Sequence, residues 1–162
     1  MTCPVVASIH SLCESQTEDL GRRLSALVRA GDTVTLSGDL GAGKTTFARA
    51  MIQTLCGVEQ EVPSPTFTLV QVYEAEDLLE IWHVDLYRLD DREEIYELGL
   101  NDALECALVL IEWPERAGEY LTSKRLEIEI RFCDKPEERS LEFKGGSEWA
   151  RRLVGYLEVE TR

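Results

Sequence analysis

Gly38-Asp-Leu-Gly-Ala-Gly-Lys-Thr45 fits the phosphate-binding loop pattern G-x-x-x-x-G-K-[ST] at every required position. A chance match in a chain this long is rare, on the order of 0.5% at ordinary residue usage. The flanks agree with the motif. Thr33 to Ser37 is a short β-prone run, and Thr46 to Cys56 has helical spacing, so the stretch reads as strand, loop, helix. Glycines let such a loop wrap closely and turn backbone N–H groups inward onto phosphate oxygens, and the helix adds its positive N-terminal end. Gly38, Asp39, Leu40, Gly41, Ala42, Gly43, Lys44, Thr45 and Thr46 are therefore expected to hold a nucleotide with Mg²⁺. Lys44 would reach the β- and γ-phosphates and the Thr45 hydroxyl would bind the metal.

Outward from the loop, apolar spacing marks further elements. Ser15-Gln-Thr-Glu18 has the form of a capping box, and Leu20, Leu24, Leu27 and Val28 continue a helix that Gly31 stops. Phe47, Met51, Ile52 and Leu55 give the loop helix one apolar face, with Gly57 as its cap. Thr66 to Glu74 and Leu78 to Asp85 read as a β-hairpin, and short helices are expected from Asp90-Asp91 and from Asn101 or Asp102. Ala107-Leu-Val-Leu-Ile111 is apolar throughout, as in a parallel strand covered on both faces. Arg125 to Phe132 alternates strictly, and Leu141 and Phe143 repeat the pattern, which predicts half-exposed antiparallel strands; Ser147 to Val159 predicts a closing helix. The expected fold is α/β: a three-layer sandwich like that of P-loop NTPases, its mixed sheet parallel at the centre and antiparallel at the edges. Residues 1–162 read as one domain.

Composition narrows the function. No run of 18 apolar residues exists, so no membrane segment is expected, and Met1 to Ser8 lacks the basic start of a secretory signal. Five scattered cysteines, never spaced C-x-x-C, point to free thiols in a reducing cytoplasm. Net charge is −14, and 15 acidic against 3 basic residues fall between Glu74 and Glu119. That surface would repel a phosphate backbone, so direct nucleic-acid binding is not expected. It reads equally as a solvated face or as a docking surface for a basic partner.

A Mg-nucleotide hydrolase needs a further carboxylate at the end of a strand near the loop. Glu112 ends the buried apolar run and is assigned to the metal; Asp85 ends Ile81-Trp-His-Val84 and is assigned to water positioning or to a supporting place behind the metal ligands. Pro63-Ser-Pro-Thr-Phe67 is a proline-stiffened loop that presents Ser64 and Thr66, the latter where nucleotide switches place a hydroxyl sensing the γ-phosphate. The expected catalytic set is thus Lys44, Thr66 and Asp85, with Thr45 and Glu112 on the metal. His83, on the same strand face as Asp85, reads as a packed, hydrogen-bonded core histidine, and Trp113 fits core or rim.

Gly38 to Thr46, Ser64-Pro-Thr-Phe67, His83-Val-Asp-Leu-Tyr-Arg88 and Ile111-Glu-Trp-Pro-Glu115 together resemble, in order and spacing over roughly residues 10–145, the bacterial TsaE (YjeE) family. The resemblance implies a small ATPase needed for threonylcarbamoyl modification of adenosine 37 in tRNAs that read codons beginning with A. It also implies partnership with the TsaB–TsaD pair, which ATP turnover would reset. On the same footing Thr45 and Glu112 hold Mg²⁺, Asp85 serves hydrolysis, Ser64 to Phe67 is switch-like, and Ser11 to Ser15 borders the adenine. Two other classes compete. A small-molecule kinase would need an arginine-rich lid, and only 3 basic residues lie between Glu74 and Glu119; a nucleotide-binding regulatory module without turnover fits the absence of an assignable arginine finger.

Overall fold

Thr33–Ser37 is the strand on which the rest is organised, β-branched at its first three positions and buried at every position but the last. In the computed structural model, which describes residues 3–158, it is the second of seven strands. In chain order these are β1 (Val5–Ser11), β2 (Thr33–Ser37), β3 (Val70–Glu74), β4 (Glu80–Asp85), β5 (Leu108–Glu112), β6 (Leu126–Phe132) and β7 (Arg139–Lys144). The helices are α1 (Glu14–Ser25), α2 (Lys44–Cys56), α3 (Glu94–Glu97), α4 (Leu100–Cys106) and α5 (Ser147–Glu158). One sheet runs β1-β7-β6-β2-β5-β4-β3. β6, β2, β5 and β4 are mutually parallel, while β3, β7 and β1 pair antiparallel. The parallel centre and antiparallel edges are those expected from the sequence.

Alternation along the strands splits the core in two. Val34, Leu36, Leu108, Leu110, Ile128 and Phe143 face α1, α2 and α5, where Leu24, Phe47, Met51 and Leu153 are fully buried. Each such side chain contributes roughly 1.5–3 kcal/mol. Val84, Val109 and Ile111 face the other way, onto Ile95 of α3 and Leu100 and Ala103 of α4. That second layer lies over the β4–β5 side. On the matching face of β6 and β7, cross-strand charges replace a layer: Lys144 bridges Glu129 at 3.4 Å and Glu142 at 3.1 Å, two carboxylates that sit opposite each other.

Several boundaries differ from expectation. β1 was not anticipated, although Ala7, Ile9 and Ser11 alternate inward; it is an edge strand against β7, and its polar half masks the pattern. Ser15 is not a helix cap. Cys13, extended at φ −162°, precedes the first turn, and Gln16 reaches back so that its Oε1 accepts from the Leu12 amide at 2.7 Å. The expected helix through Val28 ends as α1 at Ser25, with Leu27 and Val28 packed against the core from the turn that follows. β3 starts at Val70 rather than Thr66, because Leu69 turns left-handed at φ 65° and its amide bonds Pro65 O at 2.8 Å. β6 is antiparallel only towards β7, and Leu100 rather than Asn101 or Asp102 opens α4. Val159, the expected end of the last helix, lies outside the described residues. Among the described residues, no helix is long and apolar enough to cross a membrane.

Candidate active site

Three adjacent parallel strands end at one place. β2 leads into the loop Gly38–Gly43, β5 ends at Glu112, and β4 ends at Asp85, directly in register with Glu112. The carboxyl ends of parallel strands are where such sheets bind ligands. Gly38 has φ 144°, and a Cβ there would lie 2.3 Å from the Ile130 carbonyl, so only glycine lets the loop leave β2 against β6. Gly43, left-handed at φ 115°, then turns the chain into α2, whose first residue is Lys44.

Lys44 is buried among groups that suit a cation. Its Nζ donates to Gly38 O at 2.6 Å and Asp39 O at 2.8 Å, and sits 4.2 Å from the centre of the Trp113 ring. Burial lowers its pKa, opposed by Glu112, Glu115, Asp85 and Asp39. Trp113 holds its ring there from a left-handed backbone, φ 58°, a strained conformation for so bulky a residue. Its tilted contact with Tyr87, 4.8 Å between centroids, places it on the cavity rim.

Glu112 is the hub. Thr45 Oγ1 donates to its Oε1 at 2.7 Å and His83 Nε2 lies 2.7 Å from its Oε2, with His83 fully buried and Glu112 2% exposed. A carboxylate only accepts, so His83 carries its proton on Nε2, and its Nδ1 has no partner. His83, expected as a packed, hydrogen-bonded core residue, is one, and its partner is the Glu112 carboxylate, which it braces from inside the sheet. Asp85, 3% exposed, accepts from Thr66 Oγ1 at 3.1 Å and the Tyr87 amide at 2.9 Å. Since Thr66 gives its proton to Asp85, Ser64 donates to Thr66 at 2.6 Å. Burial raises the Asp85 pKa, the Tyr87 bond opposes that, and Glu112 adds to it.

These groups converge on a cavity of about 400 Å³ lined by Gly41, Lys44, Thr45, Thr66, Asp85 and Glu112, with Tyr87, Arg88 and Trp113 at its rim. Of the loop residues expected to hold nucleotide, Leu40, Gly41, Gly43, Lys44, Thr45 and Thr46 line it, while Gly38 and Asp39 turn carbonyls to Lys44 and Ala42 packs inward. A second cavity of about 310 Å³ shares Gly41, Gly43 and Thr46 and is completed by Glu14, Thr17, Pro136, Glu137 and Arg139. Arg139 joins the two sides, its Nε donating to Ala42 O at 2.9 Å. Glu14 falls in the Ser11 to Ser15 segment singled out from sequence; Pro136 to Arg139 carried no motif and was missed.

The donor set suits a small hard cation. Thr45 and Glu112 offer oxygens, and among the described residues no three His, Cys, Asp or Glu gather as a complete metal cage. Magnesium characteristically takes one or two protein oxygens and completes its shell with phosphate and water.

The model of the family "Threonylcarbamoyl adenosine biosynthesis protein TsaE" matches residues 12–141. Relatives named tRNA threonylcarbamoyladenosine biosynthesis protein TsaE include that of Rickettsia conorii, 44% identical over 78% of this chain and 72% of its own. That of Bacillus subtilis is 36% identical over 79% and 78%. The crystal structure of Bacillus subtilis YdiB superimposes with a TM-score of 0.79 at 27% identity, covering 100% of this chain and 99% of the other.

Proposed function

This chain belongs to the TsaE family, and we propose that it is the Mg²⁺-dependent ATPase of tRNA threonylcarbamoyladenosine biosynthesis, working on the TsaB–TsaD pair. One observation carries the enzymatic part of the reading: the loop, Lys44, the Thr45–Glu112 pair and the Thr66–Asp85 pair meet in one cavity. A structural loop would have no use for two buried carboxylates there, each costly to desolvate.

ATP would lie with its phosphates against the amides of Gly41 to Thr45 and its adenine in the second cavity, between Thr17 and Pro136. Lys44 would exchange the carbonyls of Gly38 and Asp39 for phosphate oxygens. Thr45 and Glu112 would hold Mg²⁺, which when bound neutralises charge on the β- and γ-oxygens. Asp85, with one oxygen on the Tyr87 amide and the other on Thr66, is fixed to orient a water at the γ-phosphorus and take its proton. The water oxygen bonds phosphorus, the bond to the β–γ bridging oxygen breaks, and ADP leaves. The upward shift of Asp85 by burial makes it a better proton acceptor than an exposed aspartate. The loop around Thr66 is the γ-phosphate-sensitive element, since the hydroxyl that touches Asp85 belongs to it.

Phosphate release by the isolated chain, alone and with TsaB–TsaD, tests this directly. Slow turnover that rises with the pair is expected. Tight ATP binding with no turnover in either condition would leave a regulatory nucleotide-binding module instead.

A further inference from the structure

Arg88 is the one charged side chain on the phosphate cavity that no step above uses. The cavity's other charged residues are Lys44, Asp85 and Glu112, so without Arg88 its lining carries two carboxylates and one cation. A nucleoside triphosphate brings far more negative charge than one lysine offsets, and the transition state spreads charge over the γ-oxygens. Arg88 follows β4, which β5 separates from the loop strand β2. Two interstrand steps are roughly 10 Å, so Arg88 flanks the cavity opposite the loop, with space for the phosphates between.

Its contacts leave it free to act. Among the described residues the Arg88 side chain makes no ion pair and no hydrogen bond; its guanidinium carbon lies 4.3 Å from the centre of the Phe67 ring. Phe67 is 81% exposed and belongs to the same loop as Thr66. A cation–π contact at an exposed site is weak and gives way to a charge-assisted bond with phosphate. Arg139, the arginine on the other side of the loop, is already committed to Ala42 O, Pro136 O and Glu138 O.

We propose that Arg88 is an arginine finger supplied in cis: it leaves Phe67 to bind the γ-phosphate of the triphosphate and stabilises charge there during hydrolysis. The ring parks the guanidinium at the cavity mouth until a γ-phosphate arrives, which ties the Thr66–Phe67 loop to the state of the nucleotide.

This rests on the ATPase reading, and affinity for ADP and for the non-hydrolysable triphosphate AMP-PNP, both with Mg²⁺, separates the two. Arg88→Ala should leave ADP affinity within about twofold and weaken AMP-PNP about tenfold, the value of one charge-assisted hydrogen bond. Its single-turnover rate should fall about 10²-fold, as when one preorganised donor to a transition state is removed. Arg88→Lys should recover part of the AMP-PNP affinity and little of the rate, because the planar fork is lost. Equal weakening of ADP and AMP-PNP, or parent-like AMP-PNP affinity with only the response to TsaB–TsaD lost, would overturn the proposal. If the parent itself hydrolyses no ATP, the ATPase reading fails, and the AMP-PNP to ADP ratio still decides whether Arg88 meets the γ-phosphate.

Discussion

Replacing Glu112 separates its structural work from the metal-binding role proposed for it. The carboxylate accepts from the fully buried His83 Nε2 and from Thr45 Oγ1, which is half-buried on the cavity wall, each at 2.7 Å. Glu112→Ala strips the acceptor from both. A buried donor left unpaired costs about 1–3 kcal/mol, and that penalty falls on His83, since the Thr45 hydroxyl can turn to water in the cavity; it is reduced by whatever desolvation of the carboxylate is no longer needed. Against a total stability of about 5–15 kcal/mol that loss is readable as an earlier midpoint in urea. Glu112→Gln behaves differently. Its amide oxygen can accept from His83 while its NH₂ meets the Thr45 oxygen, so its stability should lie within about 1 kcal/mol of the parent. It nevertheless lacks the anionic oxygen that Mg²⁺ requires, and the Mg²⁺ concentration for half-maximal nucleotide binding should rise about tenfold or more. Urea titration paired with a Mg²⁺ titration of nucleotide affinity reads both effects. The reasoning is refuted if Glu112→Gln unfolds as early as Glu112→Ala, or if it binds Mg-nucleotide with the parent's Mg²⁺ requirement.

Asp85→Asn should abolish most hydrolysis yet stabilise the fold at neutral pH, on the order of 1 kcal/mol. Burial raises the folded pKa of Asp85, so the native state binds more protons than the unfolded chain in the range just above the ordinary aspartate value of 3.8; the parent's stability falls as pH rises through that window, and the gain of Asp85→Asn over parent in thermal melts should shrink on acidification. Lys44→Ala should abolish tight Mg-ATP binding in calorimetry with the fold retained, and parent-like affinity would remove the loop from nucleotide binding. Gly21→Ala should cost about 1–3 kcal/mol, because its Cβ would lie 2.8 Å from the Phe47 carbonyl where α1 crosses α2, and an unchanged melting temperature would contradict that packing. The isolated chain should not shift tRNA on a gel even at low salt, where electrostatic binding is strongest, since 15 acidic residues against 3 basic crowd Glu74 to Glu119.

What was legible in the sequence follows how local its cause is. The loop, its strand and its helix were readable because the glycines and the Lys-Thr pair form a pattern complete within eight residues, flanked directly by the strand and the helix. The all-apolar run ending in Glu112 was readable because a strand covered on both faces has no polar side to show. β1 was hidden for the opposite reason. Its pairing partner, β7, lies far along the chain, and three of its seven residues face solvent. The capping box at Ser15 failed because Ser11 and Gln16 together organise the turn, Ser11 Oγ donating to Cys13 O and accepting from Thr17.

The site shows the same division. Thr45, Asp85 and Glu112 could be nominated singly from their places at strand and helix ends, but nothing local to His83 says that it braces Glu112. The two are 29 positions apart, and the 2.7 Å contact exists only because β4 and β5 lie side by side with Asp85 opposite Glu112, leaving His83 two residues back on the buried face. The arrangement also explains why a histidine is tolerated there at all. A fully buried ring with an orphaned Nδ1 costs stability, and an apolar residue would pack more cheaply. That cost makes sense if Glu112 must keep one oxygen orientation whether or not Thr45 is drawn away, since Thr45 and His83 hold opposite oxygens of the same carboxylate. His83→Leu therefore differs from a simple core substitution: it should leave Glu112 in place but free to rotate, raising the Mg²⁺ requirement more than it lowers the melting temperature.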